Sequence, residues 1–144
     1  MRRLLPALLL LAGCSSGLVV ETYPTEPDTD ANCEALYADG AQVVAGQKQV
    51  LVKGSKATAW GDPAIILRCG VEDPADLLPT SRCDMVADVG WFTEEIADGY
   101  LFTTIGREFN VSVEVPNTYD PAADALVDIA PFVLKHDPVV EECV

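Results

Sequence analysis

The pattern of apolar and polar positions divides the chain into a leader, a polar stretch and a folded body. Leu4 to Leu11 form the only continuously apolar run. That is about half of the roughly 20 residues a membrane-spanning helix needs. Ser15 to Asp30 is the opposite, with Ser, Gly, Thr, two prolines and four acids, and little to bury. Such a composition predicts a flexible tether with a root-mean-square reach of roughly 20–25 Å. Leu18, Val19 and Val20 interrupt it, and are expected either to dock on the domain or to sit at a membrane interface.

Periodicity begins at Ala31. Cys33, Leu36 with Tyr37, Gly40, and Val43 with Val44 recur at three- and four-residue spacing, which predicts a helix over 31–45. Asp30 or Asn32 would cap its start and Gly46 its end. Gly40 inside costs it about 1 kcal/mol relative to Ala. Strands are then predicted over 49–53, 57–60 and 64–69, with Gly61-Asp62-Pro63 as a turn. Residues 72–81 form a connecting excursion. Strands over 84–89 and 91–96 are split at Gly90, and Asp98-Gly99 gives a hairpin into 100–105. Phe109, Val111, Val113 and Val115 alternate with Asn110, Ser112 and Glu114, the mark of a half-buried strand. Asp120-Pro121 would start a last helix as N-cap and first residue. Its apolar stripe is Ala122, Leu126, Ile129 and Val133, and Pro131 would kink or divide it.

The order is helix, about five to six strands, helix. An antiparallel sheet with both helices on one face buries each apolar stripe and leaves polar strand faces wet. The expected fold is therefore a single α+β domain over 31–144.

The leader divides as an export signal does: Arg2 and Arg3, the apolar run, then small Ala12 and Gly13 before Cys14. Leu11-Ala12-Gly13-Cys14 resembles the lipobox of bacterial lipoproteins. That resemblance implies removal of residues 1–13 and diacylglyceryl transfer to the Cys14 sulfur. Two or more acyl chains hold a protein on a membrane where one would not. The lipobox thus implies export and a lipid anchor at the outer face of the cytoplasmic membrane, with residues 14–30 as the lipidated tether.

Charge narrows the partners. Losing Arg2 and Arg3 takes the formal net charge from −14 to −16. Such a surface repels nucleic-acid phosphates and anionic lipid headgroups, so neither is an expected partner. Besides Cys14 there are Cys33, Cys69, Cys83 and Cys143, an even set that reads as two disulfides on the oxidising side of a membrane. Of three connectivities, strand adjacency favours Cys69 with Cys83, and stapling of the terminal helices favours Cys33 with Cys143. No Cys-x-x-Cys pair is present to suggest zinc or thioredoxin-like chemistry. No metal and no cofactor is expected.

One stretch carries a family resemblance. Trp60-Gly61-Asp62-Pro63-Ala64-Ile65-Ile66-Leu67-Arg68-Cys69-Gly70 resembles the signature of small actinobacterial lipoproteins sharing the domain of unknown function 3515. Pro79-Thr80-Ser81, Trp91, Phe102-Thr103-Thr104 with Gly106-Arg107, and Leu126 to Pro131 fit the same pattern. The likeness covers most of residues 33–143. It implies an envelope lipoprotein and supplies no catalytic residues. Lys48 to Lys56 departs from its surroundings in being more basic.

Candidate chemistry centres on Arg68 and Arg107. Two guanidiniums converging at one sheet edge could grip a carboxylate or phosphate. Each can equally pair with an acid of this chain, Asp62 being the expected partner of Arg68. Trp60 and Trp91 could line a groove or fill the core. His136 is the sole histidine, and Ser81 and Ser112 lack a nucleophile-elbow motif. Asp28 and Asp30 start like a calcium loop whose glycine and closing glutamate are missing. The expected function is a non-enzymatic accessory or binding lipoprotein that contacts another envelope protein or a cell-wall fragment. The alternative is a small enzyme or anion-binding module using Arg68, Arg107, Trp60 and Asp62.

Overall fold

The structure, a computed structural model, describes residues 16–143. Residues 1–13, read as a leader, and Cys14 lie outside the described residues. The elements are β1 (Leu18–Val19), α1 (Asp30–Ala38), β2 (Val43–Val44), β3 (Gln47–Val50), β4 (Val52–Lys53), β5 (Thr58–Trp60), β6 (Ile65–Val71), β7 (Asp84–Val86), β8 (Val89–Ile96), β9 (Gly99–Thr104), β10 (Asn110–Pro116) and α2 (Ala123–His136). Eight strands form one antiparallel sheet in the order β2-β3-β5-β6-β10-β9-β8-β7. β1 and β4 make a separate parallel pair.

The alternation in 109–115 is realised in β10. Val111 lies opposite Cys69 and Val113 opposite Leu67, while Ser112 lies opposite Arg68. Because neighbouring side chains on a strand point to opposite faces, one face collects Leu67, Cys69, Val111 and Val113, and the other Arg68, Ser112 and Glu114. The first set joins Trp60, Ile65 and Trp91 with Leu36 of α1 and Leu126, Ile129 and Val133 of α2 in one buried apolar cluster. The α+β class and the mainly antiparallel sheet are as expected.

The sheet has eight strands where five or six were expected. Each of the seven strand segments read from the sequence has a counterpart in the sheet, and the added strand is the very short β2. Val43 and Val44 fit a helical stripe by spacing, yet they pair with Lys48 and Gln47 as a two-residue edge strand. Ala45 and Gly46 form the connecting turn with positive φ, so Gly46 serves a hairpin instead of ending a helix. α1 accordingly stops at Ala38, and neither Asp30 nor Asn32 caps it, the position before the helix being Thr29. The 84–96 hairpin turns at Ala87-Asp88, not at Gly90. α2 begins at Ala123, so Asp120 and Pro121 belong to the preceding turn. It runs unbroken through Pro131, which sits on its exposed side, where water can satisfy the carbonyl that proline leaves unbonded.

Residues 18–26 do not hang free. Leu18 pairs with Val52 and Val19 with Lys53, Val20 is buried, and Thr25 bridges to Val71. Docking is thus the outcome for the apolar interruption in the acidic stretch.

The disulfides are Cys33–Cys69 and Cys83–Cys143, which corrects the expected Cys69–Cys83 and Cys33–Cys143 pairing. Cys33 faces the sheet from α1, which packs on β6, bringing its Cα within 5.5 Å of that of Cys69. The C-terminal tail instead folds back over Gly106, whose carbonyl accepts from the Val140 and Glu141 amides. That path ends beside Cys83. The loops close 36 and 60 residues, each worth about 4 kcal/mol by chain entropy.

Gly90 is explained by the second disulfide. A Cβ there would stand 2.7 Å from both the Cys83 and Cys143 sulfurs. Gly90→Ala is expected to lower unfolding stability by about 1–3 kcal/mol through overpacking, read by urea denaturation of the oxidised protein. Non-reducing peptide mapping is expected to recover Cys33 linked to Cys69 and Cys83 linked to Cys143. Recovery of a Cys69–Cys83 peptide would contradict the fold.

Candidate functional site beneath the N-terminal strap

β6 presents Arg68 on the face opposite the apolar cluster, because Leu67 and Cys69 on either side of it point inward. Arg68 is nevertheless only 4% exposed. Residues 18–26 cross over it as a strap. Its Nε donates to the Glu21 carbonyl at 3.0 Å and its Nη1 to the Glu114 carboxylate at 3.2 Å. The guanidinium also lies 3.9 Å from the centre of the Tyr23 ring, a stacking that favours planar Arg. The Glu26 amide donates to the Gly70 carbonyl and the Glu72 amide to the Pro24 carbonyl, fixing the far end of the strap. Gly70 has φ +73°, and a Cβ there would run into Thr29 Oγ1 and approach the Cys33 sulfur. Only glycine fits that corner.

Between the strap, α1, the turn before β5 and β6 lies a cavity of about 390 Å³. Arg68, Tyr23, Tyr37, Ser55, Lys56 and the Cys33–Cys69 bridge are on its walls. Tyr37 is held by two bonds: its hydroxyl accepts from the Cys69 amide at 2.8 Å and donates to the Lys56 carbonyl at 3.0 Å. Burial raises the hydroxyl pKa of Tyr37 and of Tyr23, the latter against the opposing pull of Arg68. Both phenols are therefore neutral donors at physiological pH. Lys56 pairs with Asp30 at the exposed rim, 2.8 Å away. The Ser55 hydroxyl is buried without a hydrogen-bond partner, and such an orphan costs free energy unless a bound group satisfies it. Glu21 and Asp30 also line the cavity, and Arg68 and Lys56 are each paired with an acid. It thus offers balanced charges, neutral phenols and one open hydroxyl, which suits a small polar group.

Arg107 does not join Arg68, so the two guanidiniums do not form the shared anion site that was one reading of them. It follows β9 in the loop to β10 and donates to the Asp137 carbonyl at 2.9 Å and the Asp88 carbonyl at 3.2 Å. It lines a separate hollow of about 320 Å³ beside Gly90 and the C-terminal tail. Asp62 is not the partner of Arg68, Glu114 is; Asp62 stays in the turn before β6, at a third hollow. Trp60 is buried and donates from Nε1 to the Ala41 carbonyl at 2.8 Å. Trp91 is equally buried, so both tryptophans belong to the core. His136 bonds Asp39 at 3.0 Å, and Ser81 accepts from the Leu78 amide. Neither stands near the strap cavity. Among the described residues no group of three or more His, Cys, Asp or Glu is placed to hold a metal ion.

Sequence reasoning found Arg68 but missed Tyr23, Tyr37, Ser55 and Glu114. Tyr37 read as one more apolar position of a helix. Glu114 becomes a neighbour of Arg68 only once β10 is known to pair with β6.

Two predictions follow from these contacts. Replacing Arg68 by Met removes its hydrogen bond to the strap and its ion pair with Glu114 and is expected to cost on the order of 2 kcal/mol. Amide exchange of residues 18–26 should accelerate more than that of β10; equal protection in both proteins would contradict the strap's dependence on Arg68. Asp137 gives a pH signature. It is fully buried, and burial pushes its carboxyl up to about 6, against the hydrogen bond from Phe109 and the charge of Arg107. The native state therefore holds the proton to higher pH than the unfolded chain, so this group's contribution falls as pH rises from about 4 to 6. Asp137→Asn is expected to gain stability relative to the native chain across that window, by on the order of 3 kcal/mol. Urea unfolding at pH 4, 5 and 7 reads it, and a pH-independent difference would contradict the assignment.

A family model described as "Protein of unknown function (DUF3515)" matches residues 7–141. No curated protein and no solved structure matches the chain. The matched span contains the β6 strand with Arg68, the strap that covers it and both disulfides except the last cysteine. With nearly its whole length inside that match, this chain belongs to the DUF3515 family of proteins of unknown function.

Proposed function

We propose that the chain is an exported lipoprotein of actinobacterial type, anchored through acyl chains on Cys14 at the outer face of the cytoplasmic membrane. Its folded part is a non-enzymatic accessory or binding domain that contacts an envelope protein or cell-wall fragment. The observation that carries this reading is the cysteine pairing. Cys33, Cys69, Cys83 and Cys143 pair among themselves, which fits an oxidising compartment and accounts for every cysteine in the sequence except Cys14. Cys14 stands where the lipobox resemblance puts the acylated thiol. No helix of the described residues is long and apolar enough to cross a membrane. In the same reading both helices lie on one face of the sheet, supported by their contact with each other and their shared apolar cluster.

The binding surface in this proposal is the strap cavity. Its support is the unpartnered Ser55 hydroxyl beside Arg68, Tyr23 and Tyr37. The matching ligand is a polar cell-wall fragment that satisfies the Ser55 hydroxyl.

Metabolic labelling with an alkyne fatty acid is expected to mark the native protein and leave Cys14→Ser unmarked and released from membranes. Quantitative membrane retention of unlabelled Cys14→Ser would sink the anchor. For the cavity, titration calorimetry with soluble peptidoglycan stem peptides is expected to show binding weakened about tenfold by Ser55→Ala, equivalent to about 1.4 kcal/mol. Heats indistinguishable from buffer for the native protein would remove the cavity reading.

A further inference from the structure

The basic residues of this acidic chain are unevenly placed. There are 23 acids in the sequence, yet none between Asp39 and Asp62, and that stretch holds Lys48, Lys53 and Lys56. Ser16 to Val20 is also free of acids. The fold brings these two stretches together. β1 runs parallel to β4, Val19 lies opposite Lys53, and the Leu18 amide donates to the Leu51 carbonyl at 2.8 Å. The stem of Lys53 lies against Gly17, where a Cβ would stand 2.7 Å from Lys53 Cγ. Val19 is 80% and Leu51 60% exposed. On the edge strand, exposed Val43 lies opposite Lys48.

The β1–β4 pair lies where the described chain starts. A hollow of about 290 Å³ is lined by Ser16, Leu18, Val50, Leu51 and Ala64, with Asp62 beside them. Cys14 is two residues before Ser16, and two residues span at most about 7 Å. Because the strap is docked, the 20–25 Å reach of a free tether is not available.

We infer that the face formed by the β1–β4 pair and the β2–β3 hairpin rests on an anionic phospholipid bilayer. Lys48 and Lys53 meet the headgroups, and Val19 and Leu51 enter the interface. This rests on the acylation of Cys14. Exposed apolar side chains ringed by lysines bind such surfaces by combining apolar burial with attraction to anionic lipid. The repulsion expected from the net charge is borne by the other faces, which turns them away from the membrane and orients the domain.

The test separates this inference from the anchor. A maleimide phospholipid is coupled to Cys14 of the disulfide-intact chain of residues 14–144, so that attachment does not depend on cellular acylation. The protein is placed on vesicles of phosphatidylcholine alone or mixed with phosphatidylglycerol, each with a brominated-lipid counterpart. Leu51→Trp reports from the proposed face and Leu134→Trp from the exposed side of α2. Native Trp60 and Trp91 are buried and give a constant background. On anionic vesicles, Leu51→Trp is expected to be quenched at least about twofold more than Leu134→Trp, and Lys48→Gln with Lys53→Gln to abolish the difference. Equal quenching of the two probes, or a Leu51→Trp signal that is the same on both vesicle types, overturns it. Fatty-acid labelling of Cys14→Ser tests the anchor on its own.

Discussion

A guanidinium cannot be buried alone, and Arg68 is buried at the middle of the sheet. The cost of taking that charge from water is recovered only if its donors are met. Glu114 on the paired strand meets one, the Glu21 carbonyl meets another, and the Tyr23 ring covers the flat face. Two of these three partners come from residues N-terminal to the first helix. The strap is therefore an integral layer of the domain, and Arg68 is the reason it docks where it does.

The segment from Trp60 to Gly70 reads as one device in this light. Trp60, Ile65 and Leu67 fill the core, Arg68 organises the opposite face, Cys69 ties β6 to α1, and Gly70 makes the corner in which Thr29 and the Cys33 sulfur fit. Each position has a distinct physical task. None of these tasks requires catalysis, and the strap cavity arises at the place where they meet.

The long-period features of the fold were legible from sequence, and the tertiary ones were not. Alternation in 109–115 identified β10 and its inward face. The 122–133 stripe identified α2, because many residues repeat one pattern. Val43-Val44 was misread since two residues have no period of their own, and their spacing also suits a helix. The disulfides were misassigned because strand order does not follow chain order. β6 neighbours β5 and β10 rather than β7, so Cys69 and Cys83 are not the neighbours that sequence proximity suggested. Arg68 was recognisable as a charge within an apolar strand. Its separation from Arg107 was not, since one lies within a strand and the other in a loop held by the C-terminal tail.

The parallel β1–β4 pair has a mechanical meaning. Tension applied at the N-terminus enters the domain at Leu18 and Val19, along a strand whose bonds to β4 lie across the direction of pull. Load of this kind is resisted in shear, with the rungs strained together. Behind it stand the Arg68 contacts and the Thr25 bridge, and only then the covalent link from α1 to β6. The β1–β4 rungs, the Arg68 and Thr25 contacts and the disulfide thus stand in series between the N-terminus and the eight-stranded sheet.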